Sequence, residues 1–227
     1  IKNGWIGNVF RVSGLQEANK LQKLAEEAPL EIPLLIAENA IHGHGYVPGA
    51  TVYPTPIGLA STWDTSLVQK IANYSAQEMR ATGYHWNLGP NIEIARDPRW
   101  GRVGETFGED PYLVGLMGAS MVNGFQGSDF SNPQNVIACP KHYLAGSEPN
   151  RGLNFSPMYV SKRNLLELWL PPFQMTVNEG AYTVMAAHHE VNGIPCHANS
   201  FLLKELLRNK LGFEGFVVSD WNAINQL

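Results

Sequence analysis

The chain has 227 residues, of which 44% are hydrophobic and 16% charged, enough for one large domain or two small ones around a sizeable buried core. The net charge of −4 excludes the basic footprint of a nucleic-acid-binding protein and a polybasic membrane patch. No apolar run approaches the roughly 18 residues of a membrane-spanning helix, so membrane insertion is not expected.

Strands and helices are predicted to alternate. In chain order we predict a strand over 6–12, a helix over 15–28, a strand over 32–39, a helix over 65–83, a strand over 84–90, a helix over 111–127, a strand over 135–143, a helix over 161–180 that contains a proline pair, a strand over 182–190, a helix over 200–212 and a strand over 215–221. Asp64 or Thr65 can cap the second helix, and Asp110 precedes a proline at the start of the third.

Continuous apolar strands between amphipathic helices indicate parallel strands that are buried on both faces. Polar residues cluster where these strands end, at Asn39, at Lys141 and His142, at His188 and at Asp220. This clustering is typical of the catalytic face of a (β/α)8 TIM barrel, and we predict an α/β fold of that type, incomplete at one or both ends. A doubly wound sheet is the alternative, but it would gather its polar groups at one switch point. No glycine-rich phosphate loop follows a strand, so nucleotide binding has little support.

Cys139 and Cys196 lie far apart, show no metal-ligand spacing and adjoin strand-like runs, so both are predicted to be buried free thiols. The chain begins with Ile1 instead of Met, which predicts a processed or trimmed product whose signal peptide would not be visible.

The loop at 94–112, "IARDPRWGRVGETFGEDPY", concentrates charged residues, a tryptophan and glycines. One interpretation is structural, with Arg96, Asp97 and Arg99 forming ion pairs that hold the loop in shape. The other is functional, because a planar guanidinium also binds sugar hydroxyls or a carboxylate in a bidentate manner.

A family resemblance accounts for this loop and for segments along nearly the whole chain. The motifs "IPLLIAENAIHGHG", "YPTPIGLASTWD", "RDPRWGRVGETFGEDPY", "KHY", "LPPF", "NGIP" and "GFVVSDW" resemble glycoside hydrolase family 3 and occur in the same order. The resemblance implies that residues 1–227 are a barrel-like N-terminal domain, that most members carry a second α/β sandwich domain, here beyond residue 227, and that most are exo-acting, retaining β-glycosidases. It implies no metal and no organic cofactor.

The resemblance also implies roles for individual residues. Asp220 matches the nucleophile that forms a covalent glycosyl-enzyme. Arg102, Lys141 and His142 match residues that hold the hydroxyls of the sugar in the −1 subsite. Trp221 matches an aromatic wall for the next sugar. These roles agree with the chemistry, because a retaining nucleophile must be ionised and Lys141 and Arg102 would supply cations near it. The alternative for Asp220 alone is a helix N-cap after the strand.

Two positions depart from the family pattern. Asn39 stands where the family usually has an aspartate that holds two hydroxyls of the −1 sugar, so this residue loses charge-assisted hydrogen bonds and leaves the identity of the sugar open. The adjacent Glu38 should point the other way on a strand and is predicted to be structural. His188 replaces a tyrosine that often contacts the nucleophile; it could hydrogen-bond Asp220 and titrate near neutral pH, or be a structural histidine.

The acid/base partner of Asp220 is not evident in the sequence. A retaining glycosidase needs a second acid about 5–5.5 Å from the nucleophile. The loop "LAGSEPNRGLNFSP" lacks the Asp–His pair of one branch of the family, and its only carboxylate, Glu148, does not match the pattern. We therefore expect the acid/base from the second domain.

The resulting prediction is a retaining exo-β-glycosidase of the β-glucosidase type, acting on terminal non-reducing β-linked sugars of glycosides or oligosaccharides. A periplasmic or secreted location is expected rather than a cytoplasmic one. The first alternative is a non-catalytic sugar-binding barrel. The second is a metal-dependent amidohydrolase-like barrel, because "HGH" (42–44), Lys141, His188 and Asp220 imitate its ligand order.

Overall fold

A computed structural model describes residues 1–227, with the side chain of Gln226 excepted. Its sheet consists of short parallel strands in sequence order. β1 (Asn8–Phe10), β2 (Leu35–Glu38), β3 (Trp86–Asn87) and β4 (Ile137–Ala138) form one sheet in that order, and β5 (Thr183–Met185) pairs with β8 (Phe216–Val218) in a second. A short antiparallel hairpin, β6 (Glu190–Val191) and β7 (Ile194–Pro195), lies between β5 and β8 in the sequence.

The two parallel sheets continue into each other just beyond β4. Tyr143 pairs with Ala186 in parallel, the Met185 N–H donates to the Pro140 carbonyl at 3.1 Å, and the Tyr143 N–H donates to the Met185 carbonyl at 2.7 Å. Parallel strands that follow their sequence order without a reversal indicate a barrel wall and not a doubly wound sheet, which confirms the predicted fold class.

Helices separate the strands, as predicted. They are α1 (Leu15–Glu26), α2 (Pro56–Ala60), α3 (Thr65–Ala81), α4 (Pro111–Gln126), α5 (Lys162–Asn164) and α6 (Leu170–Asn178), with π-helical segments at Leu165–Trp169 and Phe201–Lys210. Asp64 caps α3 by accepting from the Leu67 N–H at 3.0 Å, and Asp110 caps α4 by accepting from the Leu113 N–H at 2.7 Å. The short α2 and the β6–β7 hairpin were not predicted.

The π-helical segment before α6 has its cause in the proline pair at 171 and 172. Neither proline has an N–H to donate, and each ring would clash with the carbonyl four residues earlier. The helix widens before the prolines, so that the Leu170 N–H donates to the Leu165 carbonyl, five residues earlier. The helix predicted over 161–180 therefore continues through the proline pair instead of ending there.

The core has two parts, one on each face of the sheet. The larger lies between strands and helices and contains fully buried residues such as Ile36, Met79 and Phe125. The smaller lies inside the strands and contains Ala37, Trp86, Leu88, Cys139 and Met185, with Phe10, Leu35, Ile137 and Val218 only partly buried around it. β2, β3 and β5 are buried on both faces, as predicted, whereas no residue of β1 or β8 is fully buried. Both cysteines are buried free thiols, as predicted.

Two further features bear on the sequence predictions. Each of the parallel strands is shorter at both ends than the range predicted for it. Among the described residues, no helix is long and apolar enough to cross a membrane.

Candidate active site

A cavity of about 450 Å³ opens at the carboxyl ends of the strands and reaches into the inner cluster of apolar side chains. Its polar lining includes Arg11 after β1, Asn39 after β2, Arg102 from the loop after β3, Lys141 and His142 after β4, and Asp220 after β8. The fold thus brings together, along with Trp221, all of the predicted site residues except His188, which lies beside an adjacent small cavity.

Asp220 stands at the end of β8 with one carboxylate oxygen held and the other free of hydrogen bonds. The Trp221 N–H donates to Oδ1 at 2.6 Å, and the backbone N–H of Asp220 donates to His197 Nε2 at 3.1 Å. The Oδ2 atom is buried and accepts no hydrogen bond from the described side chains; His142 Nε2 lies 3.8 Å from it. An oriented carboxylate with one unbonded oxygen is suited to nucleophilic attack.

His142 is held between Glu93 and Arg102, and their chemistry sets its tautomer. Glu93 Oε2 lies 2.8 Å from Nδ1, and Arg102 Nη1 lies 3.3 Å from Nε2. Because a guanidinium can only donate, Nε2 must accept and Nδ1 carries the proton that is donated to Glu93. Burial, reinforced by Arg102, lowers the pKa of His142 well below its usual value, so the ring is neutral.

Glu93 is itself buried, and this raises its pKa to about 7 against the opposing effects of Arg102 and His189. Arg102 also binds Glu105 with both ends of its guanidinium, at 3.0 and 2.8 Å. Burial opposes the charge on Arg102, but Glu105, Glu93 and Asp220 together hold its pKa above the ordinary value. Arg102 therefore stays cationic beside Asp220.

Lys141 is 4% exposed and donates from Nζ to the Asn39 amide oxygen at 2.9 Å. Burial lowers its pKa to about 8, and the neighbouring Arg102 adds to the effect. A neutral amide partner does not offset this as a carboxylate would. The residue at position 39 is therefore the direct hydrogen-bond partner of the Lys141 ammonium group.

His188 and Trp221 both lie near Asp220, but they have different surroundings. His188 lines a second cavity of about 10 Å³, together with Asp220 and Arg102, and its ring stacks on Phe155 with centroids 4.0 Å apart. Trp221 is 73% exposed and packs its edge against Phe10 with centroids 6.0 Å apart. One ring face of Trp221 is thereby available at the rim of the larger cavity.

Four residues at or beside the cavity were not identified from the sequence: Arg11, Glu93, Glu105 and His197. Glu93 and Glu105 lie within or beside the loop at 94–112, where the density of charged residues is the only local signal. His197 has no such signal, because it meets Asp220 only through the fold. Glu38 is structural as predicted; it is fully buried and pairs with Arg11 at 3.1 Å.

The loop at 94–112 contains an ion pair and also contributes to the lining of the cavity. Asp97 and Arg99 pair with each other at 2.7 Å, whereas Arg96 lies 3.8 Å from Glu148, so only the first two form a close ion pair. Trp100 is buried and donates its indole N–H to Asn154 at 2.9 Å, which ties this loop to the one at 144–160. Arg102 projects from the same loop into the cavity.

The ligand order proposed for a metal-dependent barrel is not assembled. His42 contacts the Tyr53 carbonyl, and His44 is buried against Thr82 and Tyr84, and neither lines the cavity that holds Lys141 and Asp220. Among the described residues, no group of three or more His, Cys, Asp or Glu side chains is placed to hold a metal ion.

Comparisons with known proteins agree on one family. Residues 1–227 match the family model described as glycosyl hydrolase family 3 N terminal domain. A beta-xylosidase of Formosa agariphila is 40% identical over 228 residues, which cover 95% of this chain and 32% of that protein. A periplasmic beta-glucosidase of Salmonella typhimurium is 34% identical over 100% of this chain and 29% of its own length.

Solved structures give the same result. A β-glucosidase from Listeria innocua in complex with isofagomine superimposes with a TM-score of 0.92 at 35% identity, over 97% of this chain and 31% of that one. A β-glucosidase involved in saponin metabolism from intestinal bacteria gives a TM-score of 0.93 at 36% identity, over 97% and 29%. The chain therefore spans about a third of the length of the relatives that it matches.

Proposed function

The chain belongs to glycosyl hydrolase family 3, and from this premise we propose that it supplies the sugar pocket and the nucleophile of a retaining exo-β-glycosidase of the β-glucosidase type. The substrate is the terminal non-reducing β-linked sugar of a glycoside or oligosaccharide. The observation that carries the proposal is the geometry of Asp220, whose buried Oδ2 atom accepts no hydrogen bond from the described side chains beside a cavity lined with donors.

The reaction would proceed in two displacements. Asp220 Oδ2 attacks the anomeric carbon, and an ester bond to the sugar forms while the glycosidic C–O bond breaks and a general acid protonates the leaving oxygen. Water, deprotonated by the same group acting as base, then attacks the anomeric carbon, and Asp220 leaves as a carboxylate. Two inversions give net retention.

Neighbouring residues support these steps. Arg102 and Lys141 are cations, and each has an attractive electrostatic interaction with Asp220. His142 accepts from Arg102 at Nε2 and so helps to hold that guanidinium in the cavity, while Asn39 and Lys141 add hydrogen-bonding groups for the sugar hydroxyls. The exposed face of Trp221 suits stacking against the next sugar ring.

The general acid/base is proposed to come from a C-terminal domain of the same enzyme. Asp220 is the only carboxylate that lines the larger cavity among the described residues. A retaining pair needs a second acid about 5–5.5 Å away, which supports a donor outside this chain.

We also propose a periplasmic or secreted location. The proposal is supported by one relative, the periplasmic beta-glucosidase of Salmonella typhimurium. Cell fractionation with an activity assay tests it.

The central test is the variant Asp220→Asn in the full-length enzyme. Turnover should fall by at least about a thousandfold, because the amide cannot form the ester, while the melting temperature changes little since the side chains are nearly isosteric. In the wild-type enzyme, a panel of 2-deoxy-2-fluoro β-glycosides of glucose, xylose and glucuronic acid should label Asp220 covalently. Mass spectrometry of the enzyme's peptides detects this label.

Near-normal turnover in Asp220→Asn would sink the assignment of the nucleophile. Sugar binding without any labelling would instead support a non-catalytic sugar-binding barrel, for which Asn39 and the lack of a second cavity carboxylate in the described chain are the favouring observations.

A further inference from the structure

The cavity has an unbalanced charge. Its lining contains three cationic side chains, Arg11, Arg102 and Lys141, and a single carboxylate, Asp220, among the described residues. The whole chain carries a net charge of −4, so this concentration of positive charge is opposite in sign to the rest of the molecule. A charged lining of one sign concentrates ligands of the other sign.

The counter-charges of two of these cations lie outside the cavity. Arg11 donates to Glu38, which is fully buried behind the wall, and Arg102 donates to Glu105 at 3.0 and 2.8 Å. Neither glutamate lines the cavity. A ligand in the cavity therefore meets the guanidinium groups before it meets their partners.

Lys141 has no carboxylate within ion-pair distance among the described side chains, and its one hydrogen bond goes to the neutral Asn39 amide. An ammonium group has three donors, so two remain for a ligand. A buried cation without an anionic partner is costly, and an anion that enters the cavity relieves that cost.

We propose that this cavity selects glycosides whose terminal sugar carries an anionic group, either a carboxylate as in a uronic acid or a sulfate ester, and that Asn39 is the residue which permits it. The inference rests on the proposed glycosidase function and narrows its substrate class. An aspartate at position 39 would occupy the donors of Lys141 and repel such a group, whereas an amide leaves the charge of Lys141 available.

The reaction itself adds a reason for this selectivity. When Asp220 forms the ester with the sugar, the cavity loses its only carboxylate while its three cations remain. An anion on the bound sugar then balances part of that charge, through hydrogen bonds roughly twice as strong as those of a neutral hydroxyl. The volume of about 450 Å³ lies in the range of small-ligand sites.

The test compares four substrates with the full-length enzyme: 4-nitrophenyl β-glucuronide, 4-nitrophenyl β-glucoside 6-sulfate, and the neutral β-glucoside and β-xyloside. The kcat/KM of at least one anionic substrate should exceed that of both neutral ones by about tenfold or more, and which anionic substrate prevails distinguishes carboxylate from sulfate. Asn39→Asp should lower the ratio of anionic to neutral kcat/KM by about tenfold or more, because it adds a negative charge beside Lys141.

Gln134→Glu is the matched control, because it adds the same charge at an exposed position just before β4, at the opposite end of the strand, and should leave the ratio unchanged. Calorimetric titration with glucuronate, glucose 6-sulfate and glucose gives a measurement that does not depend on turnover. At least one anionic sugar should bind about tenfold or more tightly than glucose.

Cleavage of the neutral glycosides alone, with no tighter binding of either anionic sugar, would overturn this inference and leave the glycosidase assignment intact. Cleavage of none of the four would count against the glycosidase assignment, and the titration would then decide the anion selectivity by itself. If the ratio of anionic to neutral kcat/KM is the same in Asn39→Asp as in the wild type, the role of Asn39 is refuted.

Discussion

Lys141 connects the sugar pocket to pH at the scale of single residues. Its burial lowers its pKa to about 8, so the ammonium form declines within the range in which enzymes are commonly assayed. Its partner at 2.9 Å is the Asn39 amide oxygen, which stabilises the charge less than a carboxylate would.

The lowered pKa of Lys141 predicts how activity falls at alkaline pH. For a neutral glycoside, kcat/KM of the full-length enzyme should fall as pH rises above about 8, because deprotonated Lys141 loses its charge-assisted bonds to the sugar. Asn39→Asp should move this alkaline fall upward by about one pH unit or more, since the new carboxylate favours the ammonium form. If the alkaline fall of kcat/KM occurs at the same pH in Asn39→Asp as in the wild type, a group other than Lys141 causes it.

Glu93 lies behind the pocket, where it orients His142 without lining the larger cavity. Burial raises its pKa to about 7, above the usual 4.5. The folded state therefore binds more protons than the unfolded state between pH 4.5 and 7. Stability from this group is fully present below pH 4.5 and is lost as pH rises through 7.

Glu93→Gln should remove this pH dependence. The unfolding free energy of the variant relative to the wild type should increase between pH 4.5 and 7 by roughly 3 kcal/mol, which corresponds to the difference between the two pKa values. Melting temperatures across this range measure the effect, with Glu214→Gln at an exposed position as the control. If the stabilities of the wild type and Glu93→Gln depend on pH in the same way, the raised pKa of Glu93 is contradicted.

At the scale of elements, α4 is packed between α3 and α6, and glycines make both contacts close. A Cβ on Gly124 would lie 2.6 Å from the Ala72 Cβ of α3, and a Cβ on Gly118 would lie 3.3 Å from the Thr176 Cγ2 of α6. A helix that is packed on two sides has apolar residues around most of its circumference, and the sequence of α4 has this composition. The loop at 94–112 lies immediately before α4, so this packing anchors one end of it.

Gly124→Ala should therefore destabilise the protein although alanine favours helix. Its methyl group must push α3 away, at a cost of about 1–3 kcal/mol that exceeds the propensity gain of about 1 kcal/mol. Gly58→Ala in α2 is the matched control, because its Cβ would meet its nearest neighbour at 3.5 Å, an ordinary contact. Equal melting temperatures for the two variants would refute this account of the α3–α4 contact.

At the scale of the whole molecule, the barrel wall is open. The outer edges of β1 and β8 have no strand partner among the described residues, and the cavity runs from the catalytic ends into the inner apolar cluster. The same opening leaves Phe10 and Val218 only partly buried. Asp220 and the cationic side chains of the cavity are thus assembled on one side of a site whose other side is open.

This openness predicts that no carboxylate of the chain acts as the general acid or base. Glu148 is the one acid of the loop at 144–160, and it lies 3.8 Å from Arg96, outside the cavity. Loss of a general acid slows substrates with poor leaving groups far more than those with activated ones. In the full-length enzyme, Glu148→Gln should keep the wild-type ratio of kcat/KM between methyl and dinitrophenyl glycosides. A selective fall for the methyl glycoside would identify Glu148 as the acid.

Local sequence patterns were enough to predict the alternation of strands and helices, the burial of the central strands, the free thiols and the caps Asp64 and Asp110. These depend on neighbours in the chain, because hydrophobic periodicity and capping act over a few residues. The motifs at 94–112 and 215–221 identified the family for the same reason, since each is a contiguous stretch whose pattern is visible without a fold.

Only the tertiary structure decided which of those residues touch. The Lys141–Asn39 hydrogen bond joins residues 102 positions apart, and the His142 contacts with Glu93 and Arg102 span 49 and 40 positions. Pairings at such distances depend on how the parallel strands bring their carboxyl ends together, and no local pattern encodes them. The tautomer of His142, the buried charge of Lys141 and the free oxygen of Asp220 follow from that assembly.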